Sequence, residues 1–74
     1  MNNERRRKRD QLTGQLQGIK TEIAFLKEDE QDAMDRVPDN LKEGENYSSM
    51  EDAVEGFNDA ICSIDEAIES LKNI

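Results

Sequence analysis

Apolar residues recur along the first half of the chain at Leu12, Leu16, Ile19, Ile23, Leu26, Ala33 and Val37. Their steps alternate between four and three residues, apart from one of seven that crosses Glu30. This spacing marks one face of a helix with a heptad repeat, because each member returns to nearly the same side after two turns. Met34 beside Ala33 widens the stripe near the interruption, and the phase carried backwards meets Arg9 and Arg5. The second half is cleaner. Met50, Val54, Phe57, Ile61, Ile64, Ile68 and Leu71 alternate between steps of four and three without a break, and Ala53, Ala60 and Ala67 flank them.

The pattern predicts helices over about residues 4–36 and 49–73, joined by a turn over 38–47. Pro38 closes the first, because its ring disfavours helical geometry in the residue before it. Ser48-Ser49-Met50-Glu51 reads as a capping box, with Ser48 as N-cap and Glu51 three residues on. Lys72 supplies the cation that a helix C-terminus favours. Pro38 followed by Asp39 can open a single helical turn within the connection. Gly14 and Gly18 each cost ~1 kcal/mol relative to Ala, so the first helix is expected to weaken there. They lie four apart and off the seam, which leaves a smooth strip for another helix.

A connection this short returns the second helix antiparallel to the first. Val37 then pairs with Met50, and Arg5–Arg9 reach the last turn of the second helix. The expected fold is all-α: a single domain over 1–74, an antiparallel two-helix hairpin of coiled-coil type. One seam in so small a scaffold supplies only ~3–5 kcal/mol. Phe25 beside Leu26 and Ala60 beside Ile61 broaden the stripes, which calls for a second interface. The simplest form is a homodimer making a four-helix bundle, or a higher homo-oligomer. The alternative is a marginal monomer that orders on meeting a partner.

Composition changes the picture mainly by exclusion. With 34% hydrophobic and 38% charged residues, the 74-residue chain sits at the boundary between folded and disordered. The two seams move it to the folded side. No apolar run approaches the ~20 residues that span a membrane, and no secretory leader follows Met1. The expectation is a cytoplasmic protein of the bacterial host cell without membrane contact. The absence of His and the single Cys remove zinc sites, His-based catalysis and a disulfide framework. No enzyme, catalytic residue, cofactor or metal is therefore expected. Cys62, next to Ile61, reads as a reduced, semi-buried small residue with no base to activate it.

The net charge of −8 conceals an asymmetry. Residues 1–9 hold five bases (Arg5, Arg6, Arg7, Lys8 and Arg9) and one acid, a net +4, which leaves −12 for residues 10–74. The cluster has three readings. It can bind phosphates of nucleic acid, nucleotide or lipid head groups. It can neutralise Asp65, Glu66 and Glu69, which sit at the unfavourable end of the second helix's dipole. It can also be a fraying tail.

From Ser48 to Leu71 there are seven acids (Glu51, Asp52, Glu55, Asp59, Asp65, Glu66 and Glu69) and no base. Glu51–Glu55, Glu55–Asp59 and Asp65–Glu69 are like-charge pairs one turn apart, each unfavourable by a few tenths of a kcal/mol. Such a face either keeps the protein soluble or docks on a basic protein surface. Glu28, Asp29, Glu30, Asp32 and Asp35 add acids at the end of the first helix. They lack the spacing of a calcium-binding loop, so they extend the acidic surface. Tyr47 and Phe25 are the aromatics off the main seam. Tyr47 is expected to cover the turn end, and each is alternatively a contact anchor.

With these residues laid out, the chain resembles small acidic helical proteins of unknown function encoded by phages and prophages of Gram-positive bacteria. The matching elements are Glu4-Arg5-Arg6, the run Glu28-Asp29-Glu30-Gln31-Asp32-Ala33 leading into Val37-Pro38-Asp39-Asn40-Leu41, and Met50-Glu51-Asp52-Ala53-Val54. The repeating Ala60-Ile61 and Ala67-Ile68 carry the pattern to the end, so the resemblance spans most of the chain. It implies a phage-borne accessory protein, and small acidic proteins of that origin often block host or defence proteins.

The expected function is thus a non-enzymatic, acidic protein-binding module. It would inhibit a host defence or nucleic-acid-handling protein, in the manner of an anti-CRISPR protein or a nucleic-acid mimic. The residues expected to bind are Glu51, Asp52, Glu55 and Asp59, with Asp32 and Asp35 at the turn end. The partner is a host protein with a basic surface rather than nucleic acid itself. Two alternatives stand beside it: an oligomeric sponge that captures a phosphorylated nucleotide through Arg5–Arg9, and a structural or assembly component of a phage particle.

Overall fold

The computed structural model describes residues 1–74 as two helices, α1 (Asn3–Asp35) and α2 (Glu45–Lys72), joined by a single 3-10 turn over Asp39–Leu41. The two pack side by side as an antiparallel hairpin, and no strand is present. At about 1.5 Å per residue, α1 and α2 run roughly 50 and 42 Å. The molecule measures 59 × 15 × 12 Å. Its radius of gyration is 17.2 Å, against about 11 Å for a compact chain of this length. It is a rod two helices wide and one layer deep.

Asn2 caps α1: its side-chain Oδ1 accepts the backbone N–H of Arg5 at 2.9 Å, and Glu4 adds an acid to the first turn. α1 runs unbroken through Gly14 and Gly18, so the expected weakening leaves no mark on its geometry. It ends at Asp35, within a residue or two of the limit set by Pro38, and the Arg36 and Val37 N–H groups donate back to the carbonyls of Ala33 and Met34 respectively. Pro38 then opens the 3-10 turn, where the Leu41 N–H donates to the Pro38 carbonyl at 2.9 Å.

α2 starts four residues earlier than the capping box indicates. Ser48 is inside the helix, with its N–H bonded to the Gly44 carbonyl at 3.1 Å, and Gly44 is the N-cap. The physical reason lies in Tyr47, which continues the α2 seam by one step and is half-buried. An extra helical turn covers the ring, and glycine is an acceptable N-cap without a side-chain bond.

The seam itself corrects the expectation for α1. Apart from Ala33, its half-buried positions form one series: Arg9, Thr13, Leu16, Lys20, Ile23, Lys27, Glu30, Met34, and Val37 just beyond the helix. Leu12, Ile19 and Leu26 are 39%, 47% and 54% exposed. The helix is therefore rotated away from its most apolar stripe, keeping Leu16 and Ile23 at the contact. Arg9, Lys20 and Lys27 take half-buried positions at the seam, where long side chains can lay aliphatic stems on apolar surface and keep their charged ends in water. Lys20 Nζ lies 2.8 Å from Asp65 Oδ1, and Arg9 donates to the Ile74 carbonyl at 2.6 Å. The Thr13 hydroxyl is satisfied within α1 by the Arg9 carbonyl at 2.9 Å.

On α2 the expected seam holds. Val54, Phe57, Ile61, Ile64 and Leu71 are half-buried, and Ile68 is the one residue buried outright, at 5% exposure. A core that encloses a single side chain is thin by any standard for a folded domain.

Candidate interaction surfaces

The acidic face of α2 follows from helix phase. Asp52, Glu55, Asp59, Glu66 and Glu69 belong to one series of three- and four-residue steps, interrupted only by Cys62. That series lies opposite the seam, and every member is exposed. Five carboxylates are thus strung along about 25 Å of the outer edge of α2, one per roughly 5 Å. Glu51 sits on the flank of the same edge. Of all the acids in α2, only Asp65 has an ion-pair partner, Lys20. Cys62 is exposed in the middle of the stripe rather than semi-buried.

Asp32 lies on the outer edge of α1 and Asp35 on its flank, about a quarter turn from the seam, so neither joins the α2 stripe. The turn end therefore carries acids on both edges, and a partner that used all six expected residues would have to straddle it. The acids of α1 do not gather either: no group of three or more ligand-type side chains converges on a point.

At the opposite end, α1 outruns α2. Arg9 meets Ile74, so residues before Arg9 project as a helical stub without a second helix beneath them. Arg5, Arg6, Arg7 and Lys8 have no ion-pair partner. The expected neutralisation of Asp65, Glu66 and Glu69 by this cluster does not occur within the chain: Asp65 takes Lys20, and Arg9 pairs with its neighbour Asp10 at 3.1 Å. Consecutive helical residues point about 100° apart, so the five cations ring the helix and one chain does not gather them on a single phosphate.

Two further features shape the surface, the first of them not singled out from sequence. One is a cleft of about 630 Å³ at the turn end, whose apolar lining includes Val37, Pro38, Leu41, Tyr47 and Met50. Tyr47 does face this end, as expected, while Leu41 stays 56% exposed. Its signal was the apolar Leu41 within an otherwise polar turn. The other feature is the flank of the hairpin. Because Lys20 and Asp65 meet across one broad face, helix phase places Leu12, Ile19 and Leu26 on the other, beside the α2 row Ala53, Ala60 and Ala67. Phe25, 61% exposed, lies on the outer edge of α1 and joins neither face.

No helix is long and apolar enough to cross a membrane. No protein-family model, no curated protein and no solved structure matches the chain.

Proposed function

We propose that the chain is a non-enzymatic interaction protein that docks the acidic edge of α2 on a basic surface of another protein. The observation that carries this reading is the stripe Asp52, Glu55, Asp59, Glu66 and Glu69, exposed along one edge with no counter-charge from the chain itself. Like-charge neighbours one turn apart cost helix stability, and opposite charge on a partner removes that cost while steering association. Glu51 and Asp32 with Asp35 enlarge the acidic area around the turn end. The resemblance to phage-encoded proteins supplies the class of target: a host protein that handles nucleic acid, or a defence protein of that kind, and so presents a cationic face. The hairpin acts as a homodimer in a four-helix bundle, which keeps both acidic edges outward.

The test is charge reversal. Tagged wild-type protein should retain a host protein from lysate, and double-stranded DNA should compete it off. The variant Glu51→Lys/Asp52→Lys/Glu55→Lys should lose it while its circular dichroism stays helical. Retention by the helical variant, or retention indifferent to DNA, overturns the reading.

A further inference from the structure

We infer that two copies pair head to tail through the broad face bearing Leu12, Ile19 and Leu26, so that the basic stub of each lies over the acidic turn of the other. The inference rests on the dimeric reading above and adds its face and its polarity.

Surface area calls for a second layer. The chain exposes 5707 Å², about 1,000 Å² more than a compact protein of its 8.5 kDa mass would expose. A stable interface takes about 800 Å² from each partner. The face in question is the one suited to this. Its α1 half carries the large exposed side chains of Leu12 and Ile19, and its α2 half is a row of alanines. The neighbouring row on α2 is Ser49, Gly56, Ser63 and Ser70, without a single charge. The opposite broad face holds Lys20, Lys27, Asp65 and Glu51.

Charge selects the antiparallel arrangement. A two-fold axis across the rod, through the middle of the face, sets Ile19 of one copy over Leu26 of the other. Head to tail, Arg5–Lys8 arrive at the level of residues 37–40 of the second copy, beside the unpaired acids Asp32, Asp35 and Glu43, while Asp39 there is already held by Lys42 at 3.3 Å. Side by side, the cationic stubs of both copies would collide, and so would the acidic turns. This arrangement gives the unpaired cations a function that the single chain does not.

The experiment separates the dimer from its polarity. Sedimentation equilibrium gives the oligomeric state of the full chain. Spin labels at Asn3→Cys in a Cys62→Ser background give the orientation by dipolar spectroscopy. A separation of about 60 Å, twice the axial distance from residue 3 to the two-fold level between Ile19 and Leu26, is expected for head-to-tail pairing, and under about 25 Å for side-by-side pairing. A monomer at all concentrations overturns the dimer and the inference together. A dimer with the short distance overturns the inference and leaves the dimer. Ile19→Asp, at an exposed position, should keep the helices and abolish pairing. Arg5→Glu/Arg6→Glu/Arg7→Glu should weaken pairing at least about tenfold, the scale of lost complementary charges. A dimer insensitive to both variants overturns the assigned face.

Discussion

Ile68 is where a residue's neighbours matter most to the hairpin, since its side chain alone is enclosed. Truncating it to Ala should cost about 2–4 kcal/mol, the range for emptying a buried aliphatic site, read as a lower urea midpoint by circular dichroism. Lys20→Met keeps the half-buried stem and removes the one side-chain ion pair between the helices, whose side chains are 36% and 53% exposed. Its cost should stay below ~1 kcal/mol at low salt and vanish at high salt. The two caps make a sharper contrast. Asn2→Ala deletes a bond from an N-cap side chain and should fray the start of α1 by ~1 kcal/mol. Ser48→Ala, inside α2, should change stability by less than ~0.5 kcal/mol in the same melts. A loss near 1 kcal/mol at Ser48 would restore it as the cap. The sequence was misleading there because Ser-x-x-Glu satisfies a capping box equally well one turn into a helix. What moved the start was the burial of Tyr47, a packing effect that local motifs do not record.

Among the elements, α2 was legible almost entirely, because its apolar series admits one phase. α1 admits two. Leu16 and Ile23 belong both to the apolar stripe and to the seam the helix adopts, and in the second phase Arg9, Lys20 and Lys27 replace Leu12, Ile19 and Leu26 at the contact, where Lys20 reaches Asp65. Sequence patterning weighs apolar positions and so preferred Leu12, Ile19 and Leu26. The acidic edge was legible because it depends on phase within α2 alone. Separating Asp32 and Asp35 from it required knowing how the two helices face each other. The glycines offer a direct test on α1. A Cβ at Gly14 or Gly18 would meet nothing within 4 Å, so Gly14→Ala and Gly18→Ala should each stabilise the helix by up to ~1 kcal/mol in thermal melts. A destabilisation would mean that something packs closely on that strip. Gly44 differs: a Cβ there would come within 3.3 Å of the Leu41 carbonyl oxygen, so Gly44→Ala is expected to gain nothing.

At the scale of the whole molecule, charge is distributed against stability. The body carries most of the acids with few internal partners, and self-repulsion of that kind weakens as ions screen it. Raising sodium chloride should therefore raise the melting temperature of the protein at dilutions where it is unpaired, while weakening capture of a basic partner. The two responses have opposite signs, so one salt series checks both. A melting temperature that falls with salt would mean that attractive pairs dominate instead. The proposed dimer would link folding to self-association, so melting should then shift upward with protein concentration.

The overhang of α1 has a consequence in time as well as in space. Backbone amides exchange with solvent at a rate set by how often the local structure opens, and helix ends without tertiary contacts open most easily. In a single hairpin, protection against deuterium should begin near Arg9, where Ile74 first holds α1, and the amides of residues 5–8 should exchange orders of magnitude faster than those around Ile23. Those few amides act as a built-in clock: how long they keep their protons reports whether anything has come to rest against the stub.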